Sequence, residues 1–130
     1  MVLWIAVGGA LGSVARYWAS GVIGSRIGET FPHGTLWVNV SGCLLIGFIA
    51  ALTATDGRWP ASPQMRQFLM VGVCGGYTTF SSFSLQTLNL AREGDWLRAG
   101  ANIVLSVVLC LVAVWLGLLL GAALNSAKGG

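Results

Sequence analysis

Gly75-Gly76-Tyr77-Thr78-Thr79-Phe80-Ser81-Ser82-Phe83 interrupts an otherwise apolar run from Phe68 to Leu90. Paired glycines weaken a helix, and clustered hydroxyls offer its backbone competing hydrogen bonds. The stretch therefore predicts a membrane-spanning helix that is broken at mid-depth. Non-helical backbone survives at that depth only when it is buried in protein or lines a wet cavity. The alternative is an unbroken helix whose Ser and Thr side chains bond back to carbonyls four residues earlier.

The rest of the chain agrees with a membrane setting. Of its 130 residues, 55% are hydrophobic and 8% charged, with a mean hydropathy of +0.79. A soluble domain carries roughly a quarter of its residues charged, so most of this surface must face lipid. A helix crosses the hydrocarbon core with about 20 apolar residues. Four stretches qualify: about 2–23, 35–53, 68–90 and 99–124. The predicted fold is all-α, a single four-helix transmembrane domain over residues 1–130 with the third helix broken. Pro32, Pro60 and Pro63 fall in the connections, where a missing amide donor does no harm. No basic segment precedes the first apolar run, so a cleaved signal peptide is not expected.

Four spans put the N-terminus, the second loop and the C-terminus on one side, with Arg58, Arg66 and Lys128. Arg26, Arg92 and Arg98 lie on the other side, and Arg16 falls within the first span. Lys and Arg in short loops set orientation, and these are evenly balanced. Either another signal decides the orientation, or copies insert both ways and pair as an antiparallel dimer with a two-fold axis in the membrane plane. The net charge of +3 reflects loop cations and is no sign of a nucleic-acid partner.

The chain shows no catalytic constellation, so an enzyme is not expected. The four acidic residues, Glu29, Asp56, Glu93 and Asp95, are all in connections, and the one histidine, His33, is also outside the apolar stretches. Gly8-Gly9-Ala10-Leu11-Gly12 lacks the lysine and preceding strand of a phosphate loop. Its Gly8/Gly12 spacing, like that of Gly117 and Gly121, suits close helix packing in lipid. Cys43, Cys74 and Cys110 read as small packing residues rather than a metal cluster or disulfide framework.

The polar groups inside the spans are neutral donors plus one arginine. An arginine near the bilayer centre costs at least about 2.5–3.5 kcal/mol, and such residues face the bundle interior, pair with carbonyls or line water. Arg16 fits that description, or else it snorkels to the interface beside Tyr17 and Trp18. Asn39 offers two amide donors in the second span, and Asn102 and Ser106 share a face of the fourth. Phe80 and Phe83, three apart, share a face wherever helix resumes, and aromatic ring edges are electropositive. Their ordinary role would be lipid contact or packing. Cation and proton pathways normally show intramembrane Asp, Glu or His. Without these, the inventory points to a small anion that accepts hydrogen bonds.

Three segments resemble the motifs of the Fluc/CrcB family of fluoride channels. They are Gly8 to Tyr17, Gly34-Thr35-Leu36-Trp37-Val38-Asn39, and Gly75 to Ser84. The resemblance implies passive export of fluoride through a multi-pass protein of the cell membrane. It implies an antiparallel, dual-topology homodimer with two pores built from both subunits. By the same resemblance, Phe80 and Phe83 would present ring edges to fluoride, with Asn39, Thr79, Ser81 and Ser106 as pore donors. Gly75 and Thr78 would give backbone carbonyls to a structural sodium ion on the dimer axis. Arg16 would lie near a vestibule or the dimer interface. Asn102 and Cys110 continue the Ser106 face, although a thiol is a weaker donor than the hydroxyl expected there. Gln86 stands where many relatives carry Glu.

Two other readings compete. A small dual-topology multidrug/proton antiporter needs a membrane-embedded carboxylate, which these spans lack. A non-conducting accessory subunit would use the glycine faces but has no use for a hydroxyl-lined break.

Overall fold

Helix α1 runs unbroken over Val2–Ile27 and stops at Gly28, whose φ of 105° reverses the chain. This is the computed structural model of the chain, and it describes residues 1–129. Gly130 and the side chain of Lys128, which enters the charge balance above, lie outside the described residues. Helix α2, His33–Leu52, starts directly after Pro32, whose ring fixes φ and removes only a donor that a helix start leaves unused.

The third span is assembled from pieces. Short helix α3, Pro63–Gln67, opens with Pro63 and with the Ser62 hydroxyl accepting from the Met65 N–H at 3.1 Å. It passes into a π-helical segment, Phe68–Cys74, and then into the single turn α4, Gly75–Tyr77. Helix resumes as α5, Phe80–Arg92. After a turn at Gly94 (φ 82°), α6 covers Trp96–Gly129. Among the described residues there is no β-strand, and four helical spans are long and apolar enough to cross a membrane. The helices run past the apolar stretches at several ends, because a helix need not stop at the edge of the hydrocarbon. Arg26 and Trp96–Arg98 are helical residues in that outer zone.

Close backbone approach holds the bundle. A Cβ on Gly117 would strike the Leu44 carbonyl, and one on Gly47 would strike the Val114 carbonyl. One turn on, a Cβ on Gly121 would strike the Ala51 side chain, so α6 positions 117 and 121 meet α2 positions 44 and 51 in rising order and the two helices pack parallel. On the other side, α1 lies against the third span. A Cβ on Gly8 would come within 2.7 Å of the Phe68 oxygen, and one on Gly12 would collide with the Val73 carbonyl. In lipid, where apolar burial gives helices no net drive to associate, such contact supplies the packing.

Polar ties lock the end at which α2 finishes. Arg66 Nη1 donates to the Ala50 carbonyl at 3.1 Å and to Thr53 Oγ1 at 2.7 Å, closing the C-terminus of α2. Asn125 joins α6 to the same corner, accepting from the Arg58 N–H at 2.7 Å and donating to the Ala51 carbonyl at 3.1 Å.

Candidate functional site: the break in the third span

The helix opens at two residues, Thr78 (φ −81°, ψ 159°) and Thr79 (φ −151°, ψ 115°), both extended. Gly75 itself is helical, at φ −64° and ψ −36°. The glycine pair thus does not supply the non-helical conformation. At Gly76 it supplies proximity, since a Cβ there would sit 2.6 Å from the Gly9 oxygen.

Asn39, reaching across from α2, holds the break. Its Oδ1 accepts from the Thr79 N–H at 2.7 Å, and its Nδ2 donates to the Thr79 carbonyl at 3.0 Å. The side-chain amide therefore satisfies both backbone groups of one extended residue, as a neighbouring strand would. One Nδ2 hydrogen is left over. Thr79 in turn caps α5, its Oγ1 accepting from the Ser82 N–H at 3.2 Å. The Thr78 hydroxyl and N–H both donate to the Cys74 carbonyl, each at 3.0 Å.

These bonds redirect specific donors. In a continuous helix the Thr79 N–H would serve the Gly75 carbonyl, and the Ser82 N–H would serve that of Thr78. Here Asn39 takes the first and Thr79 Oγ1 takes the second. The Gly76 carbonyl receives Arg16, whose Nε donates to it at 3.1 Å. Arg16 thus adopts the carbonyl-paired arrangement among those open from sequence, and it ties α1 to the break. Gly75 and Thr78 are left with carbonyls stripped of their helical donors, which suits oxygen-only ligation of a hard cation.

Beyond the break, Phe80 is 78% exposed and Phe83 half-buried, with ring centroids 5.3 Å apart and planes tilted by 44°. The Ser81 hydroxyl is exposed and lies 3.2 Å from that of Thr79. Ser106 is buried between helices and hydrogen-bonds to Asn102 Oδ1 at 3.4 Å. Asn102 Nδ2 donates to Thr87 Oγ1 at 2.8 Å, and the Thr87 hydroxyl donates to the Phe83 carbonyl at 2.7 Å. A polar chain therefore connects Ser106 to Phe83. Thr87 escaped the sequence reading, and its place one turn beyond Phe83 was the available signal. The π-helical lead-in left no such signal.

A cavity of about 970 Å³ opens among the α1–α2 connection, the end of α5 and the start of α6, with Tyr17, His33, Gln86, Glu93 and Arg98 on its walls. Gln86 Oε1 is buried there with no hydrogen-bond partner among the described residues. At the rim, Asp95 accepts from Arg98 Nη1 at 2.7 Å and from the Arg98 N–H at 3.1 Å, which holds its carboxyl below the usual carboxylate range.

Fold and site define a four-span membrane protein whose third span is opened by a cross-helix amide. The chain belongs to the family described as CrcB-like protein, Camphor Resistance (CrcB), which matches residues 3–118. It is 61% identical over 129 residues to the fluoride-specific ion channel FluC of Opitutus terrae, covering 99% of this chain and 98% of that one. It is 64% identical over 115 residues to the FluC of Rhodospirillum rubrum (88% and 89% covered) and 55% identical over 127 residues to that of Methylocella silvestris (98% and 97%). It is a multi-pass membrane protein.

Proposed function

We propose that this chain is a fluoride-specific, passive ion channel of the cell membrane, working as an antiparallel, dual-topology homodimer with two pores. The observation that carries the reading is the break at Thr78–Thr79, held by Asn39 and followed at once by Phe80 and Phe83. Relatives matched over nearly their whole length bear the name of fluoride-specific channels. Fluoride is small and tightly hydrated, so a selective pore must replace its water with placed donors. Phe80 and Phe83 offer ring edges, and Asn39 offers its remaining N–H. The Thr79, Ser81 and Ser106 hydroxyls continue the donor track. Ring edges attract an anion weakly enough to let it leave.

The homodimer is favoured by an apolar groove of about 540 Å³, lined by Gly12, Leu44, Phe48, Tyr77 and Leu120. It lies beside Arg16 and the break, polar groups that lipid alone would leave costly. Dual insertion is supported by the balanced loop charges. At the dimer axis, the Gly75 and Thr78 carbonyls of both chains would hold a structural sodium ion. When bound, that ion neutralises carbonyl ends that the break has deprived of donors.

A proton-coupled exporter is disfavoured because no Asp or Glu lies within the four spans. Efflux of fluoride from liposomes carrying the purified protein tests the reading. Flux no greater than from empty vesicles removes it.

A further inference from the structure

One side-chain hydrogen bond joins α5 to α6 among the described residues, and it runs from Asn102 Nδ2 to Thr87 Oγ1 at 2.8 Å. A hydroxyl has a single hydrogen, and that of Thr87 goes to the Phe83 carbonyl at 2.7 Å. Toward α6, Thr87 can therefore offer only lone pairs. The Asn102 side chain, 2% exposed, must turn its NH₂ to Thr87, which leaves its Oδ1 facing Ser106. An amide oxygen accepts and cannot donate, so the Ser106 hydrogen points to it. That bond is 3.4 Å long, past the usual O–H···O range of about 2.5–3.0 Å, and is the loosest in the chain. Donation thus runs one way, from Ser106 through Asn102 and Thr87 to the carbonyl of Phe83.

We infer that Thr87 is a positioning residue of the pore: through Asn102 it orients the Ser106 hydroxyl as a lightly held donor, in register with the Phe83 ring. This rests on the channel reading, and Thr87 itself touches no ion. An anion reaching Ser106 takes a hydrogen that is already directed and loosely bound, so little is lost in the transfer. When the anion moves on, the hydrogen returns to Asn102 Oδ1. Conduction needs such a site, favourable enough to enter and weak enough to leave. Without the Thr87 hydroxyl, nothing selects between the two orientations of the amide. In the reversed one, NH₂ faces Ser106, and the serine hydrogen has no amide oxygen to return to. The donor is then no longer preorganised.

Two substitutions separate hydroxyl from shape. Thr87→Val keeps the shape and loses the hydroxyl, while Thr87→Ser keeps the hydroxyl and loses the methyl group. Full-length protein in detergent, isotope-labelled on asparagine, carries four side-chain amides for magnetic resonance: Asn39, Asn89, Asn102 and Asn125. The Asn102 signal should move in Thr87→Val and return to its wild-type place in Thr87→Ser. An unmoved signal in Thr87→Val refutes the orientation. In liposomes, Thr87→Val should slow fluoride efflux about five- to tenfold, the worth of one misdirected hydrogen bond, and Thr87→Ser should restore it. The opposite pattern makes Thr87 a packing residue. On a Ser106→Ala background, Thr87→Val should slow flux by less than about twofold, because the donor it positions is already gone. An undiminished loss there overturns the route through Ser106. Should Thr87→Val not assemble, Thr87→Ala removes the same hydroxyl and is read the same way. Wild type without flux faults the channel reading, and the Asn102 signal still decides the amide orientation.

Discussion

Asn39 and Thr79 share two hydrogen bonds across forty residues of chain, Thr79 N–H to Asn39 Oδ1 at 2.7 Å and Asn39 Nδ2 to the Thr79 carbonyl at 3.0 Å. The pair makes the break an ordered feature. It also assigns Asn39 a duty that precedes any contact with an ion.

Asn39→Ala should therefore cost stability as well as flux. It strands a backbone donor and an acceptor at membrane depth, at about 1–3 kcal/mol each. Asn39→Asp keeps the acceptor and offers the Thr79 carbonyl a donor only when its carboxyl is protonated. Thermal melting in detergent should place Asp between wild type and Ala if the carboxyl is protonated, and both below wild type. Unchanged melting in Asn39→Ala would mean the break is held by something else.

Gly117→Ala should destabilise the bundle by about 1–3 kcal/mol, because its new Cβ meets the Leu44 carbonyl and backbone cannot move aside cheaply. Gly100→Ala is the control. It sits in α6 with nothing within 4 Å of an added Cβ, and should be neutral or gain up to about 1 kcal/mol in helix propensity. Equal effects from the two would remove close packing as the explanation.

Acid should loosen the start of α6. Arg98 holds the Asp95 carboxyl below its ordinary pKa, so the ionised, capping form contributes stability above the unfolded value. That contribution is lost as pH falls through the lower, folded value. Hydrogen exchange of the Trp96–Arg98 amides should quicken over that acid range in wild type. Asp95→Asn, which keeps a capping oxygen without titrating, should flatten the response. A variant that retains the wild-type pH profile would acquit Asp95.

Sodium should stabilise the proposed dimer. If the Gly75 and Thr78 carbonyls hold the ion, the melting temperature should climb with sodium concentration, with about 2.7 kcal/mol gained at a hundredfold excess over Kd. Thr78→Ser, which leaves the backbone carbonyl in place, should preserve the dependence. Replacing sodium by a bulky organic cation should abolish it. A melting temperature indifferent to sodium counts against the ion.

The four spans were legible because about 20 apolar residues in a row have few other uses. The break was legible in place but not in mechanism. Gly75-Gly76 looked like the hinge, yet both residues are helical and Gly76 serves contact with Gly9. The extended residues are Thr78 and Thr79, and their conformation depends on Asn39, which is distant in sequence. The Arg16 bond to the Gly76 carbonyl was one of several open possibilities for the same reason: local pattern does not reveal which carbonyl a long side chain will find. Asn102 and Ser106 were visible as a face, but their link to Phe83 runs through Thr87, on another helix.

The central claim is that Phe80 and Phe83, set beside the opened backbone, line a fluoride path. Fluoride efflux from liposomes, compared among wild type, Phe80→Ile and Phe83→Ile, tests it most directly. Losing one ring contact of about 0.5–1.5 kcal/mol should slow flux by up to about tenfold per ring, and further with both replaced. Wild-type rates in both variants, with the protein still folded, would contradict the account and leave the rings as packing.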